Sequence, residues 1–65
     1  MKYNELFRLL KKDGWIEIRQ KGSHVILEHS EKQEQLTVPY HASKEVKKGL
    51  LTAIFKQAGI KIKKR

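Results

Sequence analysis

The chain has 65 residues, of which 15 are Lys or Arg and 7 are Asp or Glu, and its formal net charge is +8 at pH 7. Because so short a chain has room for only one hydrophobic core, residues 1–65 are predicted to form a single domain. The absence of cysteine excludes a disulfide framework and a thiolate zinc site. No apolar run approaches the roughly 18 residues of a membrane span, so we expect a cytoplasmic protein without membrane association.

The high positive charge indicates the class of partner. A small body carrying this charge raises the local concentration of polyanions and speeds encounter with them. Nucleic acid is therefore the first partner that we expect, and an acidic protein is the second. A charge that serves solubility alone is the alternative.

A helix is predicted from Tyr3 to Lys12, where apolar residues recur at intervals of three and four. Asn4 is predicted to cap its first turn, and Gly14 to end it in the left-handed conformation. Trp15 can then pack back on the helix, although a single tryptophan can also stack on an unpaired base.

Alternation of apolar and polar residues predicts two strands, over residues 15–20 and 24–29. Each strand then has one apolar face and one polar face. The polar face includes Trp15 and His24. The side chains expected to face the core are those of Ile16, Ile18, Val25 and Leu27.

Matching the two apolar faces predicts the register of this hairpin. Ile18 pairs with Val25 across a two-residue turn formed by Lys21-Gly22. In that register Arg19 lies directly opposite His24, on the sheet face away from the core. A cation and an imidazole would thus share an open surface.

The second half of the chain predicts a polar loop, a short strand and a helix. The loop covers Ser30 to Glu34, and the strand covers Gln35 to Val38 and ends at Pro39, which cannot donate to a continuing ladder. A second apolar stripe predicts a helix from Lys48 to Ala58, which Gly59 ends.

These elements predict an α+β fold of order α-β-β-β-α, in which both helices cover one face of a three-stranded antiparallel sheet. The opposite face of the sheet is expected to remain in water. Residues 61–65 form a basic tail, which is either a solvated end or a supplementary contact to RNA or a partner.

The turn before the second strand holds the first candidates for chemistry. His24 is a candidate because imidazole, with an ordinary pKa of about 6.5, can both take and give a proton near neutrality. Gly22 leaves room for a phosphodiester to approach, and Arg19, Lys21 and Ser23 could hold its phosphate. The alternative is that the histidine is an exposed polar residue without a role.

Metal binding is not expected. His24, His29 and His41 lack the close spacing of a local zinc site, and the interval of five between the first two puts them on opposite strand faces. The sequence also contains neither a glycine-rich phosphate loop nor an acidic cluster suited to Mg²⁺. We therefore predict no metal and no cofactor.

Five segments of the chain, taken in order, resemble the HicA toxins of bacterial and archaeal toxin-antitoxin systems. The resemblance implies a double-stranded-RNA-binding-like fold, an mRNA interferase activity in which His24 matches the catalytic histidine, and a HicB antitoxin that inhibits by covering the site. The matching segments are LLKKDGW at 9–15, RQKGSH at 19–24, VPYH at 38–41, KKGLL at 47–51 and IFKQAGI at 54–60.

The mechanism that we expect is metal-independent transesterification of RNA in a type II toxin. Neutral His24 takes the proton of a ribose 2′-OH, and the cationic turn stabilises charge on the phosphoryl oxygens. The leaving oxygen could be protonated by His24 itself, a lysine, water or His41. Two other classes of function remain open: a small RNA-binding module without catalysis, and a protein-interaction domain for an acidic partner.

Overall fold

The chain folds in the order helix, three strands, helix, as the sequence predicts. The structure is a computed structural model that describes residues 1–60, and the predicted basic tail at 61–65 lies outside the described residues. The elements are α1 (Tyr3–Asp13), β1 (Trp15–Lys21), β2 (His24–His29), β3 (Lys32–Pro39) and α2 (Lys48–Ala58).

Helix α1 has the predicted apolar face but a different start. It begins at Tyr3 after Lys2, so the prediction that Asn4 caps it is wrong. Glu5 caps the helix instead, because its Oε1 accepts the Lys2 backbone N–H at 2.9 Å. Gly14 ends α1 in the left-handed region with φ 111°, as predicted.

Both helices lie on one face of the sheet and share a single hydrophobic core with it. The strands of the sheet run antiparallel in the order β1-β2-β3, which puts β2 in the centre. Helix α2 has its predicted bounds, and Gly59 ends it in the left-handed region. The core contains Tyr3, Leu6, Phe7, Leu10, Trp15, Val25, Leu27, Leu36, Val38, Val46, Ile54, Phe55 and Ala58.

The inner face of β1 differs from the prediction. Ile16 and Ile18 are 62% and 47% exposed, whereas Trp15 is buried at 2% exposure. A bulge between Glu17 and Arg19 adds one residue to β1, so the alternation of its faces changes there. Burial of Trp15 also removes its ring from contact with an unpaired base.

The predicted register of the first hairpin is also wrong. Gln20 pairs with Val25 and Lys21 pairs with His24, so the turn consists of Gly22 and Ser23 rather than Lys21-Gly22. Arg19 therefore lies opposite Ile26 instead of His24. The register differs from the prediction because the pairing is set by the buried Trp15 and the bulge, and not by burial of the two isoleucines of β1.

The second hairpin is tighter than predicted. Strand β3 begins at Lys32, so the turn before it is only Ser30-Glu31 and the loop predicted to reach Glu34 is wrong. Strand β3 ends at Pro39, and its side chains Leu36 and Val38 are fully buried, as the alternation predicts.

The connection from β3 to α2 is attached to the start of the chain. Lys2 forms a single antiparallel bridge with Glu45, and the amino group of Met1 donates to the Glu45 carboxylate. This ammonium group lowers the pKa of Glu45 from its usual range by hydrogen bonding and by charge. Among residues 1–60, the two helices have 11 residues each, and neither has the length and hydrophobicity of a membrane span.

Candidate nucleic-acid interface

His24 is the first residue of β2, and its side chain is on the water-exposed face of the sheet. The alternation of β2 fixes this orientation, because Val25 and Leu27 are buried against the helices while His24 is exposed. Its neighbours across the sheet are Lys21 in β1 and Pro39 in β3. The predicted exposure of the imidazole is confirmed.

Two cations share this face with His24. Lys21 is its direct partner across the hairpin, and Arg19 is opposite Ile26, one outward-facing position further along β2. Directly opposed residues have Cβ atoms about 4.5–5.5 Å apart, and diagonal neighbours are about 7–8 Å apart. Long cationic side chains at these positions can reach one phosphate group beside the imidazole. The structure therefore brings the three predicted residues together, with Lys21 in the place expected for Arg19.

The turn that precedes His24 is open to solvent. Gly22 has φ 61°, a left-handed conformation, and a Cβ added there would meet no atom within 4 Å. The amide Nε2 of Gln20 donates to the Gly22 carbonyl at 3.0 Å and braces the turn from β1. Ser23 is exposed in the same turn. A phosphodiester can thus approach the backbone of this turn without steric obstruction.

The other two histidines are placed differently. His29 lies on the helix-covered side, paired with Trp15, and the side chain of His29 is 7% exposed. His41 packs its ring edge-to-face on Tyr3 with centroids 5.1 Å apart. Among residues 1–60, no group of three His, Cys, Asp or Glu side chains could hold a metal ion.

A cleft on the helix-covered side of the first hairpin, opposite the face that carries His24, was not predicted from the sequence. It lies between α1 and β1, has a volume of about 430 Å³, and is lined among others by Arg8, Lys11, Gln20 and Tyr40. Gln20 points towards α1, on the face that the predicted alternation gives it together with Ile16 and Ile18. The feature of the sequence that could have indicated this cleft is the pair of cations on α1, Arg8 and Lys11, which lie off the apolar stripe of the helix.

Comparison with known proteins finds a family model and a solved structure that match nearly the whole chain. A family model described as the HicA toxin of bacterial toxin-antitoxin systems matches residues 3–60. A solved structure described as the HicA3 and HicB3 toxin-antitoxin complex contains a chain that is 36% identical to this one, with a TM-score of 0.79. The match covers 97% of this chain and 100% of that chain. No curated protein sequence matches the chain significantly.

Proposed function

Because the chain belongs to the HicA toxin family of bacterial toxin-antitoxin systems, we propose that it is a metal-independent endoribonuclease that cuts mRNA. The observation that carries this proposal is the exposed imidazole of His24, which lies across from Lys21 and next to an open glycine turn. An acid-base group, a cation and room for a phosphodiester are what cleavage through a ribose 2′-OH requires.

In the reaction that we propose, neutral His24 takes the proton of the 2′-OH next to the scissile phosphate. The 2′-oxygen forms a bond to phosphorus, and the bond from phosphorus to the 5′-oxygen breaks. The products are a 2′,3′-cyclic phosphate and a 5′-hydroxyl end, once the leaving oxygen has gained a proton. His24 can return the proton that it took, and His41, a lysine or water are the other candidate donors.

The cations next to His24 act on the charge that develops in this reaction. Lys21 and Arg19 hold the phosphate and stabilise the negative charge on its non-bridging oxygens, and the backbone of Gly22 and Ser23 lies within the same turn. Such charge stabilisation and a general base together require no metal ligand.

We also propose a HicB-type antitoxin as the protein partner of this chain. The solved relative was described in complex with HicB3. On the His24 side of the sheet, the exposed Ile16 and Ile18 offer apolar area beside the cations Arg19 and Lys21. A partner with apolar and acidic side chains would cover this surface and block access of RNA to His24.

The test compares His24→Ala with Thr37→Ala, which alters another exposed position, directly opposite Ile26 in β3. We expect His24→Ala to lose about 10² to 10⁴-fold in cleavage rate, the usual contribution of general acid-base catalysis, while Thr37→Ala cuts like the original protein. The measurement is cleavage of a labelled RNA in EDTA, with identification of the product ends. An RNA with a single 2′-deoxy substitution at the cut site must remain intact.

Three outcomes would contradict the proposal. Full cleavage by His24→Ala would show that His24 is not the general base. Loss of activity in EDTA would indicate a mechanism that needs a metal ion. Binding of RNA without any cleavage would indicate a non-catalytic RNA-binding module. In the same assay, added HicB-type antitoxin should stop cleavage by the original protein and compete with RNA for binding. An antitoxin complex that still cuts RNA contradicts the proposed inhibition.

A further inference from the structure

The cleft between α1 and β1 has the composition of a nucleotide site. Its volume of about 430 Å³ lies in the range of small-molecule sites, and it is open on one side. Two cations, Arg8 and Lys11, and the amide side chains of Asn4 and Gln20 contribute to its walls. Cations suit a phosphate, and amides suit the donor and acceptor groups on the edge of a base.

Tyr40 supplies an aromatic surface in the same cleft. Tyr40 is 38% exposed, and its ring is held edge-to-face against Phe7, with centroids 5.0 Å apart and an interplanar angle of 82°. Phe7 is buried in the core, so the orientation of the Tyr40 ring is fixed from behind. A fixed and partly exposed ring is the kind of surface on which an unpaired base stacks.

The charges in the cleft leave a cation available. Lys11 forms an ion pair with Glu17 at 3.4 Å, and both residues line the cleft. Arg8 is exposed, one helical turn from Lys11 on α1, and no ion pair of Arg8 is found within residues 1–60. Because the Glu17 carboxylate in the cleft is paired with Lys11, Arg8 is the cation that can bind a phosphate there.

The cleft is connected to the turn that precedes His24 by two hydrogen bonds. Gln20, in its wall, donates from its side chain to the Gly22 carbonyl at 3.0 Å. Tyr40, also in its wall, donates its backbone N–H to the Ser23 carbonyl at 2.7 Å. Both turn residues thus accept hydrogen bonds from residues that line the cleft. A ligand that contacts Gln20 or Tyr40 can therefore change the position of the turn next to His24.

We propose that this cleft binds a nucleotide of single-stranded RNA that flanks the cleaved link, with its base on Tyr40 and its phosphate on Arg8. The proposal rests on the ribonuclease function proposed above and adds a second subsite to it. The RNA chain would pass over the edge of β1, from Lys21 on one face to Gln20 on the other. An acidic peptide is the less favoured ligand, because the aromatic surface and the amides match a base better than a carboxylate.

The experiment measures RNA affinity in the His24→Ala background, so that the RNA is not cut. A labelled single-stranded RNA of mixed sequence is titrated into three variants with additional changes, Tyr40→Leu, Tyr40→Phe and Arg8→Gln. Loss of base stacking should weaken binding about 5- to 100-fold in Tyr40→Leu, while Tyr40→Phe retains the ring and binds like its parent. Arg8→Gln should bind more weakly than the matched control Lys12→Gln, because Lys12 is on the same helix outside the cleft.

A second measurement does not require the additional changes at Tyr40 and Arg8. RNA added to ¹⁵N-labelled His24→Ala protein should shift the NMR signals of the side-chain amides of Asn4 and Gln20, which line the cleft. Unmoved signals at the cleft, or equal affinities of Tyr40→Leu and Tyr40→Phe when both are folded, overturn the proposal. A cleft that responds to the antitoxin but not to RNA overturns it in favour of a protein site.

Cleavage by the original protein separates this proposal from the function on which it rests. If RNA is cut at His24 and the cleft does not respond to RNA, the subsite is wrong and the ribonuclease stands. If RNA is not cut but the cleft responds, the chain has a nucleotide site without the proposed catalysis.

Discussion

Two histidines of β2, five residues apart, have opposite surroundings. His24 is exposed beside Lys21, and among residues 1–60 its side chain makes no hydrogen bond. His29 is mostly buried at the other end of the strand, where its Nε2 lies 2.7 Å from the Asp13 carbonyl oxygen and its Nδ1 accepts the Glu31 N–H at 3.0 Å. One histidine is free to exchange protons with a ligand, and the other joins structural elements.

The hydrogen bonds of His29 determine where its proton is. Because the Glu31 N–H donates to Nδ1, that nitrogen carries no hydrogen, and Nε2–H donates to the Asp13 carbonyl. The ring therefore connects the end of α1 to the turn between β2 and β3, and packs edge-to-face on Trp15 with centroids 5.3 Å apart. A histidine with both nitrogens engaged in this way has no role in proton transfer to a substrate.

Replacing Gly14, beside His29, and Gly22, beside His24, with alanine should give the largest difference in the free energy of unfolding. Gly14→Ala places a Cβ 2.6 Å from Nε2 of His29 at φ 111°, so strain and a clash add to about 3 kcal/mol of lost stability. Gly22→Ala, at φ 61° in open space, should lose only about 1 kcal/mol. Chemical denaturation of both variants measures the difference. Equal losses would show that the corner at His29 yields as easily as the open turn.

Alanine at each of the two histidines should give the next largest difference in stability. His29→Ala removes two hydrogen bonds and the contact with Trp15, and we expect a loss of about 2 kcal/mol, or about 10 °C in Tm. His24→Ala should melt within about 2 °C of the original protein, since surface changes away from packed groups are nearly neutral. A large drop in Tm for His24→Ala would mean that the exposed imidazole has a structural function.

Lys32 should show the smallest of these effects. Its Nζ donates to the Ala58 carbonyl at the end of α2, forms an ion pair with Asp13 at 3.3 Å and lies 5.5 Å from the Trp15 ring centroid. Lys32→Met retains the apolar stem but loses these contacts, at about 1 kcal/mol for a side chain that is partly exposed. Lys12→Met is the matched control and should be neutral in the same thermal melts. Equal Tm values for the two variants would show that the contacts of Lys32 with Ala58, Asp13 and Trp15 do not stabilise the fold.

Much of the fold followed from local pattern. The apolar stripes and the left-handed glycines at positions 14 and 59 predicted both helices, and α2 has the predicted bounds. The alternation of β2 predicted that Val25 and Leu27 are buried and that His24 is exposed. These features depend on periodicity within one element, which is why sequence alone predicted them.

The errors occurred where two elements compete for the same residue. Trp15 follows the glycine that ends α1, which favours packing against the helix, whereas the alternation through Ile16 and Ile18 favours turning Trp15 outward. Adjacent strand residues face opposite sides, so both patterns cannot hold. In the structure Trp15 is buried and the isoleucines are exposed. Turning Trp15 inward shifts the pairing by one residue and the bulge at Ile18 shifts it by another, so the partner of His24 is Lys21 instead of Arg19.

The spacing of residues along single segments was enough to predict the order of elements, the two helix faces and the outward direction of His24. Contacts between separate elements were needed to establish which cation faces the imidazole, that His29 connects α1 to the second turn, and that Gln20 and Tyr40 meet in a cleft. Those features depend on register and on a bulge, which are set when burying the large Trp15 side chain outweighs burying two smaller ones that alternate correctly.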